Sequence, residues 1–169
     1  MKVSELLTRA RALIEDERSW TQGAEWRDAQ GGEIDPWAWQ RLANDGGPQP
    51  NPPCQFSAAG AVRWVSLEAR EQEPGSTRVT YFQALMMLNK MARRMTNEHG
   101  RVNIAHYNDA SGHADVLMAF GFAIATARID EQMREQVKQS REGNRENRGR
   151  RQPPGCLCHR SEPGNQQGG

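Results

Sequence analysis

A chain of 169 residues with 22 basic and 21 acidic side chains has a net charge of +1, so overall charge selects no class of partner. The length suits one domain, and the low hydrophobic share of 36%, with a mean hydropathy of −0.87, fits an ordinary core joined to a polar terminus, because apolar residues recur from Val3 to Val137 and almost vanish afterwards. No apolar run reaches the roughly 18 residues of a membrane span, the N-terminus enters an amphipathic pattern directly, as expected of a cytoplasmic chain without a leader, and three cysteines (Cys54, Cys156, Cys158) are too few for a disulfide scaffold.

Val3, Leu6, Leu7, Ala10, Leu13 and Ile14 recur at helical spacing, which predicts a first helix over about 4–17 with Ser4 as its N-cap. Residues 19–53 are broken by five glycines and five prolines, yet they hold Trp20, Trp26, Trp37 and Trp39. That aromatic mass predicts an irregular segment over 19–42 folded onto the helical core, followed by a surface loop over 44–53.

A second helix is expected from Ser57 to about Gln72, where the small residues Ala58 to Ala61 let another backbone approach closely, and Pro74-Gly75 ends it. A third is expected over 77–98 on Tyr81, Ala84, Leu85, Leu88, Met91, Ala92 and Met95. Val102 and Ile104 alternate with polar neighbours, which predicts a short strand over 101–107 with a partner somewhere in 24–35. The fourth helix, over about 111–139, rests on Val116, Leu117, Phe120, Ala123, Ile124, Ala127 and Met133, with Asp109 or Ser111 as its cap.

From Ser140 the composition turns to Arg, Glu, Asn, Gly, Pro and Gln, which bury too little apolar surface to offset the entropy of ordering. The expected fold is mainly α. A small four-helix domain over 1–139 has a Trp-rich irregular segment and a short β-hairpin, and 140–169 form a basic, disordered tail.

A scattered set of residues resembles a known family. It runs Leu6-Leu7-x-Arg9-Ala10, Leu13-Ile14-Glu15, Trp20-x-Gln22-Gly23-Ala24 and Arg27-Asp28-Ala29-x-Gly31. It continues with Cys54 ahead of Gly60-Ala61, then Ala84-Leu85, Ile104-x-x-Tyr107-Asn108-Asp109 and Val116-Leu117. Over about three quarters of the chain this is similar to the bacterial and phage domain of unknown function numbered 6197. The family's cysteine usually stands closer to Gly-Ala, and a Trp is common where Tyr107 stands. The resemblance implies a compact helical domain and no activity.

Several constellations carry candidate chemistry. Cys54 at a helix N-terminus, with His106 as base and Asn108 or Asp109 orienting it, has the ingredients of a thiol hydrolase. The structural alternative makes Cys54 a small buried hydrophobe, Asp109 a helix cap and His106 a surface residue. Asn108-Asp109 with Asp115 offers few oxygens to a hard cation, and Asx side chains commonly join a strand to a helix. Cys156-x-Cys158-His159 is a candidate soft-metal triplet, whose fourth zinc ligand would have to come from Cys54 or a distant histidine, against adventitious metal binding or oxidation of the thiols.

Trp37-Ala38-Trp39, if extended, puts both rings on one face, as a core wall or, with Tyr107 and Asn108, as a partner-binding patch. The stretch from Arg141 to Arg151 holds five arginines against two glutamates. Arg145, Arg148, Arg150 and Arg151 are its candidate phosphate contacts, against a purely solubilising role. Phosphate-loop, dinucleotide, zinc-protease and serine-hydrolase motifs are absent from the sequence. The expectation is a non-enzymatic accessory protein without a cofactor. It would bind a protein partner in a phage, prophage or mobile-element setting, as a modulator or inhibitor of a host complex. The alternatives are a thiol-dependent enzyme centred on Cys54 and nonspecific nucleic-acid binding by the tail.

Overall fold

The computed structural model describes residues 1–45, 51–72, 77–96 and 102–150. The chain divides into two units, Met1–Glu131 and Gln132–Gly169. Among the described residues there are six α-helices: α1 (Val3–Leu13), α2 (Pro36–Asn44), α3 (Ala58–Gln72), α4 (Thr77–Thr96), α5 (Ile104–Ala110) and α6 (His113–Arg150). Three two-residue strands, β1 (Trp26–Arg27), β2 (Glu33–Ile34) and β3 (Gln55–Phe56), form an antiparallel sheet in the order β2-β1-β3. Trp26 pairs with both Ile34 and Phe56. The fold is mainly α with a small sheet, as the spacing of apolar residues predicts.

The core joins the apolar stripes of α1, α3, α4 and α6. Leu6, Leu7, Ala10, Ile14, Val62, Val65, Leu88, Val116 and Phe120 are fully buried or nearly so, each large aliphatic or aromatic side chain contributing about 1.5–3 kcal/mol. Trp26 closes the core at its sheet side. Its indole meets Trp39 and Trp64 edge-on, at centroid distances of 5.9 and 5.5 Å, and donates to the Gly60 carbonyl at 2.9 Å. The small run that opens α3 is therefore the place where the Glu25–Trp26 backbone crosses the helix.

The structure corrects several expectations. Ser4 is not the cap of α1. The helix starts one residue earlier, and Ser4 lies in its first turn, donating from N (2.9 Å) and Oγ (2.6 Å) to the Glu131 carboxylate on α6. A distant acid thus satisfies an end that no local side chain caps.

Residues 36–44 are helical rather than irregular. Asp35 accepts from the Trp37 amide at 2.9 Å and Pro36 opens the helix, the usual Asp-Pro start. Helical geometry separates the two rings that an extended chain would align. Trp39 packs against Trp26 and Trp64, while Trp37 is 69% exposed with the Arg63 guanidinium 4.9 Å from its ring centroid.

In place of the strand expected over 101–107, the chain is helical from Ile104 as α5, because the Asn103 side chain caps a helix there, accepting from the His106 amide at 2.8 Å. Strands do lie within 24–35, but they pair with each other and with 55–56 rather than with 101–107. Neither Asp109 nor Ser111 caps α6, which follows Gly112. That helix does not end near Gln139 but continues to Arg150, so the first part of the expected tail is helical. The centre of the proline-rich loop, 46–50, and residues 151–169 lie outside the described residues.

Candidate functional site

The Asn108-Asp109 pair sits at the end of α5, where it meets the loop after α1 and the start of α3. The loop reaches this point because the Trp20 ring packs against His113 at 5.3 Å, and His113 Nε2 lies 2.6 Å from the Ile14 carbonyl oxygen. Above it, the Asn89 side chain on α4 accepts from the Ile104 amide at 2.7 Å, fixing the first turn of α5.

Asn108 is completely buried. Its Oδ1 accepts from Trp20 Nε1 (2.8 Å) and from the Ala58 amide (3.0 Å). Its Nδ2 donates to the Thr21 carbonyl (2.9 Å) and to Asp109 Oδ1 (3.1 Å). An amide side chain offers two acceptor sites and two donors, and all four are engaged. The network also fixes which end is oxygen, since Trp20 Nε1 and the Ala58 amide can only donate.

Asp109 Oδ1 accepts in turn from the Gly23 amide at 2.9 Å. Gly23 has φ +73°, a left-handed conformation that glycine adopts without strain. Gln22 Nε2 donates to the carbonyls of Asn108 and Ser111, both at 2.9 Å. Arg27 closes the loop, donating from Nε to Thr21 Oγ1 at 2.8 Å and to the carbonyls of Gly31 and Gln22. Asp28 shapes the hairpin by accepting from the amides of Gln30 and Gly32.

Most residues of the familiar set therefore have a stated mechanical task, and Asn108 at the centre has no free polar atom for a ligand. Asn108 and Tyr107, candidates for a partner surface, are buried and present no such surface. Tyr107 donates to Met95 Sδ at 3.5 Å, and burial pushes its phenol above the ordinary tyrosine range.

Cys54 is exposed and stands ahead of β3 rather than at the N-terminus of α3. Its amide donates to the Arg27 carbonyl, while the amide at the start of α3, Ala58, is taken by Asn108. His106 is exposed and its backbone serves the Asn103 cap, and the Asp109 carboxylate serves Gly23. Among the described residues, no hydrogen bond or ion pair joins Cys54 to His106 or Asp109. Arg145 is exposed on α6, and Arg148 and Arg150 belong to the same helix. Arg151, Cys156, Cys158 and His159 lie outside the described residues, and among those described no group of three His, Cys, Asp or Glu could hold a metal ion. Between α2 and α3 lies a hollow of about 220 Å³ lined by Trp39, Gln40, Ala43, Asn44, Leu67 and Arg70, smaller than the roughly 300–1,000 Å³ of typical ligand clefts.

Sequence reasoning missed the outward faces of two helices. On α4, Val79, Phe82 and Met86 are exposed, and on α6, Met118, Phe122 and Ile129. Their signal was present: apolar residues continue around both helices beyond the width of one inward stripe. No helix among the described residues is long and apolar enough to cross a membrane.

No curated protein and no solved structure matches the chain. A family model described as "Family of unknown function (DUF6197)" matches residues 1–126, from the first residue into α6, and includes the whole Asn108 network. With about three quarters of its length matched, the chain belongs to that family.

Proposed function

We propose that this protein is a non-enzymatic binding module that docks a protein partner, with a modulator or inhibitor of a larger complex as its biological form. One observation carries the reading. α6 is apolar on opposite sides: Val116, Phe120, Ala123, Ile124 and Ala127 face the core, while Met118, Phe122 and Ile129 stay about half exposed on the other side. A row of large apolar side chains in water is the usual mark of a surface meant to be covered.

Gly121 adds to this. It lies mid-helix beside the exposed row, and nothing lies within 4 Å of where its Cβ would be. Glycine there costs about 1 kcal/mol relative to alanine and has no internal reason. Gly121→Ala should raise the stability of the free protein by about 0.5–1 kcal/mol in urea unfolding, and should weaken docking if a partner backbone approaches at that point.

The test is capture from bacterial lysate with the full chain as bait, with nuclease, followed by binding measurements on the purified partner. Phe122→Glu should abolish capture and leave the thermal midpoint within about 2–4 °C, since the side chain already faces water. A partner bound equally well by Phe122→Glu, or no partner at all, would remove the reading.

A second reading has its own observation. Beyond Glu131, Arg134, Lys138, Arg141 and Arg145 recur at i, i+4, i+7 and i+11 on α6, all exposed. Such a row can follow phosphates without reading bases. It predicts weak duplex binding that falls steeply with salt and drops when the chain is ended at Gln139. Binding unchanged by that truncation would dismiss it.

A further inference from the structure

Helix α4 has an unusual charge. Its twenty residues include Arg78, Lys90, Arg93 and Arg94 and no acidic side chain. All four cations are exposed, and among the described residues none pairs with a carboxylate. The inner face is conventional, with Ala84, Leu88, Met91 and Ala92 buried. The outward row is Val79, Phe82, Met86, Lys90 and Arg93, spaced three, four, four and three apart. Its first half is apolar, with Val79, Phe82 and Met86 between 52% and 70% exposed. Its second half is cationic.

We propose that this row is a docking face for an amphipathic helix of a protein partner. The partner's acidic first turns lie on Lys90, Arg93 and Arg94, and its following apolar turns lie on Val79, Phe82 and Met86. The inference rests on the partner-binding reading and names the chemistry of one contact surface.

The order follows from electrostatics. Carboxylates are favoured at a helix N-terminus, so an acid-first partner must lie antiparallel to α4 for its acids to meet the cations. Antiparallel packing also opposes the two macrodipoles favourably. From Val79 to Arg94 the face is about 22 Å long at 1.5 Å per residue, so about fifteen partner residues cover it.

Two other anionic surfaces fit less well. A helix lying on an anionic bilayer keeps its cations beside the apolar face, at the waterline. Here Lys90 and Arg93 continue the apolar row itself, so insertion of Phe82 and Met86 would carry them toward the acyl chains. A phosphate backbone has no use for the apolar half of the row.

The experiment uses the isotope-labelled full chain and four probes. These are a helical peptide of about sixteen residues with acids in its first two turns and leucines at i, i+3 and i+7 behind them, the same composition with the acids last, a short DNA duplex, and phosphatidylcholine–phosphatidylserine vesicles. Amide shifts map where each binds. The expected result is binding by the acid-first peptide, weaker binding by the acid-last peptide, and shifts centred on α4. Lys90→Glu/Arg94→Glu should lower the peptide affinity at least about tenfold at low salt and less at high salt. Arg93 is left in place because its Nε donates to the Val102 carbonyl at 3.1 Å.

Absence of peptide binding up to about 1 mM, equal binding by the double variant, or shifts away from α4 would overturn the proposal. So would perturbation of α4 by the duplex or the vesicles in place of the peptide. The two levels separate cleanly. If a lysate partner is lost in Phe122→Glu but kept in Lys90→Glu/Arg94→Glu, the binding module stands and the α4 face falls. If no lysate partner is found and the acid-first peptide still binds at α4, the α4 chemistry stands and the α6 reading falls.

Discussion

Asn108→Ala is expected to destabilise the protein by about 3 kcal/mol or more, because it strips partners from three buried or half-buried groups at once, each costing about 1–3 kcal/mol. The Trp20 indole N–H, the Ala58 amide and the Thr21 carbonyl all bond to this one side chain. Against a total of roughly 5–15 kcal/mol for a domain, the loss is a large fraction of what keeps the chain folded.

Asn108→Asp is the sharper probe, since it preserves shape and both acceptor contacts. It replaces a donor by an oxygen facing the Thr21 carbonyl and Asp109 Oδ1, 2.9 and 3.1 Å from the present Nδ2. Burial and the neighbouring carboxylate both raise the pKa of the new acid in the folded state above its unfolded value. The deficit relative to the native protein is therefore full above that folded pKa and shrinks as pH falls through it. Urea unfolding across pH measures both effects. A midpoint for Asn108→Ala within about 1 kcal/mol of the native protein would mean that water replaces the side chain, and that the network is not the keystone its geometry implies.

Gly60→Ala is the second large effect. A Cβ there would lie 2.1 Å from the Glu25 carbonyl oxygen and 2.8 Å from Trp26 Cδ1. The first of these atoms is backbone, so no side-chain rotation relieves the overlap. The β1 crossing must lift off α3, loosening the bond from Trp26 to the Gly60 carbonyl and the edge-on packing of Trp26 with Trp39 and Trp64. The cost should reach or pass about 3 kcal/mol, the upper end for overpacking. It should appear as a lost near-ultraviolet tryptophan signal at temperatures where the native protein retains it. The same substitution at Gly121 should stabilise, so two helical glycines differ in the sign of the effect. If Gly60→Ala leaves stability unchanged or raises it, the close approach at Gly60 is misplaced; if Gly121→Ala destabilises, the open space at Gly121 is misplaced.

The long helices were legible in the sequence because each repeats its apolar spacing over several turns. The inward faces of α1, α3, α4 and α6 contain the residues that periodicity selects, except Met133 on α6, which is exposed. α2 and α5, with nine and seven residues, are too short for a period to register. Both announced themselves through single capping side chains, Asp35 and Asn103, rather than through a pattern. Val102 and Ile104 alternate because each flanks a helix start, which imitates a strand over four residues.

The candidate site was legible in its members and not in its arrangement. Trp20, Gln22, Gly23, Asn108 and Asp109 were all singled out, but the bonds that join them cross 86 to 89 positions of chain. Local spacing carries no information at that range. The end of α6 was misjudged for another reason. Arg, Glu and Gln are good helix formers, so a segment too polar for a core can still prolong a helix that the core has nucleated.

The bond between Ser4 and Glu131 has a bearing on synthesis. The two residues lie 127 positions apart. At about 5–20 residues per second, a ribosome needs roughly 6–25 s to travel from one to the other. For that interval the nascent first helix has emerged without the carboxylate that completes its first turn, even after α3 and α4 have been made to pack on its apolar face. The earliest element made is thus among the last to be finished, and a pause or truncation anywhere before residue 131 leaves the beginning of the protein waiting on its end.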